Sequence, residues 1–189
     1  MDQTSVLDLF RQSGALLEGH FRLTSGLHSP GYLQCALVLQ HPASAEALGR
    51  ALGSKIGAAG VTAVLSPALG GLIIGHEVAR ALSVRALFAE RQDGTLTLRR
   101  GFSLSPADRV VVIEDVVTTG GSTRETIEVA RRAGATVVAA GSIIDRSTTA
   151  GALDVPYHSL VTLALPTYQP EACPLCAQGS PVTKPGSRA

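Results

Sequence analysis

The chain has 189 residues, of which 45% are hydrophobic; this is enough for one sizeable core and predicts a single domain over residues 1–189. A formal net charge of +1 at pH 7, carried by scattered basic residues, argues against nucleic-acid binding and against binding to a membrane surface. Small molecules are therefore the expected partners.

Three features of the sequence bear on the compartment of the protein. The longest uncharged stretch, Ile56–Gly75, is interrupted by Pro67 and several glycines, which favours a strand, a loop and a helix start over a membrane span. Asp2 and Asp8 stand where a signal peptide would carry basic residues. The three cysteines are an odd number and do not indicate a disulfide framework. These features predict a cytoplasmic protein.

The first part of the chain predicts two helices joined by a segment of another kind. The helices are expected at Val6–Leu17 and Ala43–Ala58, and Phe21–Gln40 between them is expected to be irregular or extended. This segment contains Ser25-Gly26 and Ser29-Pro30-Gly31, which are typical of turns. We expect residues 1–42 to form an N-terminal hood over the elements that follow.

From Ala63 onward, short apolar runs alternate with amphipathic stretches, as in successive strand–helix–strand units. The predicted strands are Ala63–Ser66, Arg85–Glu90, Arg109–Glu114 and Thr136–Ile144. One helix is predicted at Leu72–Leu82, and another should start at the capping box Ser122-Thr123-Arg124-Glu125 and stop at Gly134. The predicted fold class is α/β, with a central, mostly parallel sheet flanked by helices.

Two segments lie outside this alternation. Gln92–Pro106 is polar and arginine-rich around Asp93-Gly94, which predicts a mobile excursion between two strands. Residues 166–189 lose periodicity and are expected either to pack as an irregular strap or to remain loose.

The tail contains Cys173-Pro174-Leu175-Cys176, which has the spacing of a metal knuckle. Only Cys35 remains as a further thiolate and no second pair exists, so a closed tetrahedral zinc site is not expected. For His20 and His28, structural or solvent roles are expected in preference to acid–base catalysis.

The stretch after the predicted strand Arg109–Glu114 is the most informative for function. Two adjacent acids, Glu114 and Asp115, precede a loop of apolar, glycine and hydroxyl residues that comprises Val116, Val117, Thr118, Thr119, Gly120, Gly121 and Ser122. Such a loop at a helix N-terminus offers converging N–H donors and the positive end of the helix dipole to a phosphate monoester. The two acids can accept hydrogen bonds from vicinal hydroxyls, so a sugar phosphate fits this stretch.

Other phosphate-binding motifs do not match. A P-loop requires Gly-Lys-Ser/Thr, and Gly120-Gly121-Ser122 contains no lysine. The glycines at 70, 71 and 75 do not have the spacing of the dinucleotide fingerprint. The alternative is that Glu114 and Asp115 only cap a neighbouring helix or face solvent. It is disfavoured because α/β sheets bind ligands at the carboxyl ends of their parallel strands.

The strand, the two acids and Thr118-Thr119-Gly120-Gly121-Ser122 resemble the phosphoribosyl diphosphate motif of the type I phosphoribosyltransferases. Residues 19–34 resemble the hood of the orotate phosphoribosyltransferase branch, and the resemblance covers most of residues 14–150. It implies a reversible, Mg²⁺-dependent transfer of 5-phosphoribose from phosphoribosyl diphosphate to orotate. The products would be orotidine 5′-phosphate and pyrophosphate, in pyrimidine biosynthesis. It also implies a homodimer, and Mg²⁺ that arrives on the pyrophosphate without direct protein ligands.

The resemblance also implies roles for individual residues. Glu114 and Asp115 would hold the ribose hydroxyls, and residues 118–122 would cradle the 5-phosphate. Arg146 would pair with the orotate carboxylate, helped by the Thr118 hydroxyl, because its planar fork matches a carboxylate. The alternative for Arg146 is a salt bridge with Asp145 or a surface role. Further orotate contacts are expected from the hood residues Ser25, Gly26 and Tyr32, and pyrophosphate contacts from Arg91, Ala68, Leu69 and Gly70.

The sequence departs from this family in its lysines, which are only Lys55 and Lys184. Many orotate phosphoribosyltransferases carry lysines where this chain has Leu69, Thr24 and the stretch 92–102. We therefore predict Arg99 and Arg100, together with Asp115, as the catalytic residues. Two alternatives stay open: a purine phosphoribosyltransferase, which has no need of Arg146 opposite a carboxylate, and a non-catalytic regulator that senses phosphoribosyl diphosphate.

Overall fold

The computed structural model of the chain describes residues 1–23, 25–57, 60–147 and 153–185. Within these ranges the helices are α1 (Gln3–Gln12), α2 (Cys35–Leu39), α3 (Pro42–Ile56), α4 (Gly71–Leu82), α5 (Gly121–Arg132) and α6 (Pro174–Ala177). The strands are β1 (Leu16–Arg22), β2 (His28–Leu33), β3 (Ala63–Pro67), β4 (Arg85–Gln92), β5 (Thr95–Leu98), β6 (Arg109–Val117), β7 (Thr136–Asp145) and β8 (Tyr157–Thr162). None of the described helices is long and apolar enough to cross a bilayer.

The central sheet has six strands in the order β5-β4-β3-β6-β7-β8. All neighbours in it are parallel except β4 and β5, which are antiparallel. This confirms the predicted α/β class and the predicted mostly parallel sheet. Strand β8 was not predicted; it adds an edge beside β7 that becomes important for the site.

Successive residues of the two central strands supply two separate cores. In β6, Val111 and Ile113 pack with α3 and α4 on one face, whereas Val110 and Val112 pack with α5 on the other. All four are fully buried, because strands covered by helices on both faces must be apolar at every position. Residues 109–114, which were predicted as a strand, therefore lie at the centre of the sheet.

The N-terminal segment forms a hairpin rather than a long helix. The predicted helix Val6–Leu17 ends at Gln12, since Gly14 takes a left-handed φ of 68° and the chain then enters β1. Strands β1 and β2 pair antiparallel, and α2 follows where an irregular or extended chain was expected. The second predicted helix is observed as α3, which ends at Ile56; residues 58 and 59 lie outside the described ranges.

The predicted excursion Gln92–Pro106 contains an ordered strand, so that prediction was wrong for its first half. Gln92 of β4 pairs with Thr95 of β5, and the two residues between them, Asp93 and Gly94, both have positive φ. This is the two-residue turn that an Asp-Gly pair favours, because its twist matches that of a hairpin.

The C-terminal tail lies across the β1–β2 hairpin. Tyr168 exchanges two backbone hydrogen bonds with His28, and Thr183 pairs with the backbone on either side of Phe21. Between these contacts the tail forms a short 3₁₀ turn, Pro170–Ala172, and then α6. Residues 186–189 of the predicted tail lie outside the described residues.

Candidate active site

Three of the predicted segments meet at the carboxyl edge of the sheet. Glu114 and Asp115 lie near the end of β6, and the Arg146 amide after β7 donates to the Val117 carbonyl at 2.8 Å. The loop after β3 contains Ala68, Leu69 and Gly70, which are predicted to contact pyrophosphate, and is here called the predicted pyrophosphate loop. It approaches the same edge, since a Cβ built on Gly70 would lie 2.7 Å from Asp115 Oδ1. The parallel register of the sheet thus brings residues distant in sequence to one edge, where α/β sheets bind ligands.

The loop between β6 and α5 forms a cleft with an empty volume of about 340 Å³, lined by Glu114 and residues 116–123. Thr118, Thr119, Gly121 and Ser122 are exposed in it. The residue before α5 is Gly120, with a φ of 73° and no side-chain cap. The first-turn amides of α5 are therefore not capped by a side chain at this position, which leaves a helix N-terminus suited to a phosphate.

The predicted capping box was wrong. Gly120, and not Ser122, is the N-cap of α5, and Glu125 does not reach back to the helix start. The Glu125 carboxylate instead accepts hydrogen bonds from the Leu96 amide at 2.8 Å and from Arg91. The packing of β4 and β5 beside α5 brings Arg91 and Leu96 to Glu125. A local sequence pattern cannot show this contact, because it joins different elements of the fold.

Arg124 is a residue of this loop that the sequence predictions missed. Its Nη2 atom donates to the Thr119 carbonyl at 2.8 Å, and its Nη1 atom lies 3.0 Å from the position of a Cβ on Gly120. An exposed cation therefore braces the loop that is predicted to cradle the phosphate. The only sequence signal for it was a basic residue in the first turn of the helix, where the helix dipole disfavours positive charge.

Glu114 is buried without a hydrogen-bond partner for its Oε2 atom among the described residues. Burial, followed by the nearby charge of Asp115, raises the pKa of the Glu114 carboxyl to about 9. The Asp115 carboxylate is oriented by the Val116 amide, which donates to its Oδ1 atom at 2.8 Å. The cleft therefore contains an acid that holds a proton at neutral pH beside a second acid fixed by the backbone.

Replacing Glu114 with glutamine is expected to stabilise the ligand-free protein at pH 8. The Glu114 pKa rises from its ordinary value of 4.5 in the unfolded chain to about 9, so between these values the folded state binds the extra proton. Stability then falls as the pH rises, by at most about 1.4 kcal/mol for each pH unit. Glutamine does not titrate, so its contribution to stability does not change with pH in this way. Urea unfolding at several pH values should therefore show that the free energy of unfolding of the variant increasingly exceeds that of the parent from pH 5 to 8. Parallel pH curves would contradict the buried, protonated state.

Arg146 lies partly buried at the end of β7, and its Nε atom has no hydrogen-bond partner among the described residues. Burial lowers the pKa of the guanidinium. The predicted alternative, a salt bridge with Asp145, is not observed, because the Asp145 carboxylate accepts from the amide and hydroxyl of Ser147 at 2.8 and 2.6 Å. The structure thus holds a partly buried cation that is suited to an anionic ligand.

A pocket with an empty volume of about 640 Å³ opens beside Arg146 and is lined by residues 145–147 and 162–166. Leu163, Ala164, Leu165 and Pro166 give it apolar walls, and Arg146 gives it a positive charge. Because β8 was not predicted, these walls were missed. The sequence signal for β8 is weak, because residues 157–162 (Tyr-His-Ser-Leu-Val-Thr) do not alternate between apolar and polar side chains.

The N-terminal β1–β2 hairpin reaches this pocket through β2. A Cβ on Gly31 would lie 2.7 Å from Leu165 Cδ2, so the strand packs directly against the pocket wall. The neighbouring Tyr32 ring lies 6.1 Å from the Phe21 ring. Ser25 and Gly26 form the hairpin tip, where the Gly26 amide donates to the Leu23 carbonyl at 2.9 Å. Contacts of these residues with orotate stay predictions, and Thr24 lies outside the described residues.

The predicted pyrophosphate loop has only part of its amides available. The Ala68 amide donates to the Ala89 carbonyl at 2.8 Å, so its use by a ligand, as predicted, would cost a sheet hydrogen bond. The Ala68–Leu69 peptide is cis, and Leu69 is 82% exposed. Gly70 packs against Asp115, which makes the Leu69 and Gly70 amides the candidates for ligand contact.

The predicted catalytic arginines are held by a carboxylate at the end of β4. Arg100 Nη2 lies 3.0 Å and Arg99 Nη1 3.8 Å from Glu90 oxygens, and the Arg100 guanidinium lies 5.9 Å from the centroid of the Phe88 ring. Arg91 instead forms two hydrogen bonds with Glu125, at 3.2 and 2.8 Å. Exposed pairs of this kind are worth about 0–1 kcal/mol, so exchange for a pyrophosphate is energetically possible. The roles of all three arginines stay predictions.

Comparisons with known proteins agree on one family. Residues 36–166 match the family model of the phosphoribosyl transferase domain. The orotate phosphoribosyltransferase of Pelotomaculum thermopropionicum is 53% identical over 188 residues, which cover 100% of this chain and 99% of that protein. The orotate phosphoribosyltransferase of Heliobacterium modesticaldum is 52% identical over 190 residues, which cover 100% of this chain and 100% of that protein. The crystal structure of orotate phosphoribosyltransferase from Aeropyrum pernix matches with a TM-score of 0.71 at 30% identity, over 84% of this chain and 93% of that chain.

Proposed function

Since the chain belongs to the phosphoribosyl transferase family, we propose that it transfers 5-phosphoribose from phosphoribosyl diphosphate to orotate. The products are orotidine 5′-phosphate and pyrophosphate, and the reaction is a step of pyrimidine biosynthesis. The observation that carries the choice of orotate is the partly buried Arg146, which faces an apolar pocket without an internal acidic partner among the described residues. A flat pyrimidine with a carboxylate supplies both the apolar faces and the missing charge.

The phosphoribose half of the substrate fits the β6–α5 loop. The 5-phosphate binds at the uncapped N-terminus of α5, where amides and the hydroxyls of residues 118, 119 and 122 converge. The two acids at the end of β6 face the vicinal ribose hydroxyls with complementary chemistry. Glu114, which holds a proton at neutral pH, can donate to one hydroxyl oxygen, and Asp115 can only accept.

The chemical step needs no covalent nucleophile. The bond between C1′ and pyrophosphate breaks as the bond between C1′ and orotate N1 forms, and the N1 proton is lost. Positive charge develops on the ribose ring, so the protein contributes mainly by holding both reactants in line and by stabilising the departing charge. The meeting of the β6 acids, the β3 loop and Arg146 at one edge provides this alignment.

Magnesium is proposed to accompany the pyrophosphate. The Asp115 carboxylate and the loop hydroxyls at this edge suit the water ligands of a hydrated, hard cation. When bound, Mg²⁺ supplies charge neutralisation of the leaving group. The chain contributes further contacts to the pyrophosphate from the Leu69 and Gly70 amides and, by prediction, from the arginines 91, 99 and 100.

The decisive experiment is a spectrophotometric assay of orotate consumption with phosphoribosyl diphosphate, with Mg²⁺ included or omitted. Adenine, guanine, hypoxanthine and uracil serve as comparison bases. Turnover with orotate alone, dependent on Mg²⁺, is expected. Turnover with a purine would favour a purine phosphoribosyltransferase, and binding of phosphoribosyl diphosphate without turnover of any base would favour a sensor. A homodimer and a cytoplasmic location remain proposals that rest on the family resemblance and on the cysteine count.

The Asp115→Asn variant is expected to bind phosphoribosyl diphosphate about tenfold to a hundredfold more weakly than the parent. Hydrogen bonds to a charged group contribute about 1.5–3 kcal/mol, and the amide oxygen at 115 can still accept from the Val116 amide, so the fold should persist. Titration calorimetry with phosphoribosyl diphosphate and Mg²⁺ measures the loss, and the exposed Asp8→Asn variant is the control. Unchanged affinity would remove Asp115 from the ribose site.

A further inference from the structure

Four side chains that no step of the proposed reaction uses converge between the β1–β2 hairpin and the tail. They are His20, His28, Cys173 and Cys176, here called the His–Cys cluster, and one ligand atom from each lies within 4.8 Å of every other. All but Cys176 are buried. Cys173 and Cys176 are not joined by a disulfide, although they have the spacing of a redox pair.

The distances within the His–Cys cluster are those of one tetrahedral ion. His20 Nε2 lies 3.5 Å from Cys173 Sγ and 3.7 Å from Cys176 Sγ, and His28 Nδ1 lies 3.3 Å from Cys176 Sγ. With Zn–N of about 2.0–2.1 Å and Zn–S of about 2.3 Å, tetrahedral geometry separates nitrogen and sulfur ligands by about 3.6 Å. The two histidine nitrogens, 2.9 Å apart, are slightly closer than such geometry requires.

A backbone contact orients one of the histidines for metal binding. His20 Nδ1 lies 2.9 Å from the Ser180 carbonyl, which can only accept, so Nδ1 carries the proton. The lone pair of Nε2 is then directed at the other three ligand atoms. A backbone carbonyl that accepts from the other ring nitrogen regularly accompanies a metal-bound histidine, because it selects the tautomer.

We propose that His20, His28, Cys173 and Cys176 bind one structural Zn²⁺ that joins the tail to the hood. Two thiolates and two imidazoles in a tetrahedron are a standard zinc ligand set, and four protein ligands leave no open position for catalysis. A two-iron Rieske cluster also uses two cysteines and two histidines, but the cysteines bind one iron and the histidines bind the other. The mutual proximity of all four ligand atoms here fits a single ion.

The proposed site departs from the expectation from the sequence that no closed zinc site exists. That expectation sought the missing ligands among cysteines, whereas the hairpin supplies two histidines instead. His20 and Cys173 are 153 positions apart, so no local spacing links them. The ion would also join β1 and β2, the strands on either side of Ser25 and Gly26, and hold β2 beside the pocket of Arg146.

The test is the metal content of the full-length chain, purified without a histidine tag and without chelators. About one Zn²⁺ per chain is expected for the parent by plasma mass spectrometry, and a large loss for the Cys173→Ser, Cys176→Ser double variant. The controls Cys35→Ala and His76→Gln remove a thiol and an exposed imidazole elsewhere, and both should keep the metal. A parent protein that carries no zinc and takes none up from a Zn²⁺ titration would overturn the proposal.

Two further readouts keep the proposal testable if the double variant does not fold. Thermal unfolding of the parent should shift to lower temperature after chelation and recover with Zn²⁺ but not with Mg²⁺. Substitution with Co²⁺ should give the intense visible absorption of a tetrahedral thiolate site. A Cys173–Cys176 disulfide in the metal-free parent, or iron in place of zinc, would refute the assignment. None of these readouts depends on orotate turnover, so they are independent of the proposed function.

Discussion

The Arg99→Ala, Arg100→Ala double variant is expected to lose turnover by about a hundredfold to a thousandfold while it keeps its affinity for orotidine 5′-phosphate. Loss of a preorganised contact to developing charge costs about 2.7–4 kcal/mol, whereas loss of an exposed arginine costs about 0–1 kcal/mol. Both arginines lie near Glu90, so in this role they would exchange this carboxylate for the pyrophosphate. Single-turnover kinetics and product titration separate the two effects.

Two further variants sharpen this test. Glu90→Gln weakens the ion pairs that hold the arginines, so it should keep most of the turnover if the arginines serve the leaving group. An Arg99→Lys, Arg100→Lys variant should restore part of the rate if point charge suffices, and little if the planar guanidinium is required. Parental turnover in the double alanine variant would make the segment a connector. Stabilisation of pyrophosphate would then fall to Mg²⁺, Arg91 and the amides after β3.

The Arg146→Ala variant is expected to raise the Michaelis constant for orotate by about a hundredfold, with a much smaller change for phosphoribosyl diphosphate. Removal of one partner of a buried charge pair costs about 2–5 kcal/mol, and each 1.4 kcal/mol is about a tenfold change. Steady-state kinetics with each substrate varied in turn measures both constants. An equal rise in both would contradict a contact between Arg146 and the orotate carboxylate.

Stability measurements distinguish this role of Arg146 from a structural one. Its Nε atom is buried without a partner among the described residues, so truncation removes an uncompensated polar group and should not lower the free energy of unfolding. The Arg146→Lys variant keeps the positive charge but loses the planar, bidentate donor geometry of the guanidinium. It should therefore show a Michaelis constant for orotate between those of the parent and the alanine variant. The exposed Arg50→Ala variant is the control and should match the parent in both kinetics and stability.

The zinc proposal gives the hood and tail a common role. Chain segments 16–33 and 166–185 contribute few residues to the two main hydrophobic cores, and backbone pairing and the His–Cys cluster connect them to each other. Short segments of this kind commonly need a metal to hold a defined conformation.

The sequence by itself determined the four central strands of the sheet and the segment that is proposed to bind phosphoribose. Residues 110–113 of β6 are apolar at every position, as a strand buried on both faces requires, and the two acids and the glycine–hydroxyl loop follow them in the chain. Chemistry that is contiguous in the chain could be predicted because a strand end and a helix start arrange it locally.

Only the tertiary structure decided which distant side chains meet. The pairing of Arg91 with Glu125, the apolar pocket that β8 adds beside Arg146, and the convergence of two histidines with two cysteines each join different elements of the fold. Such contacts depend on the packing of whole elements. No periodicity or spacing within a short stretch of sequence records that packing.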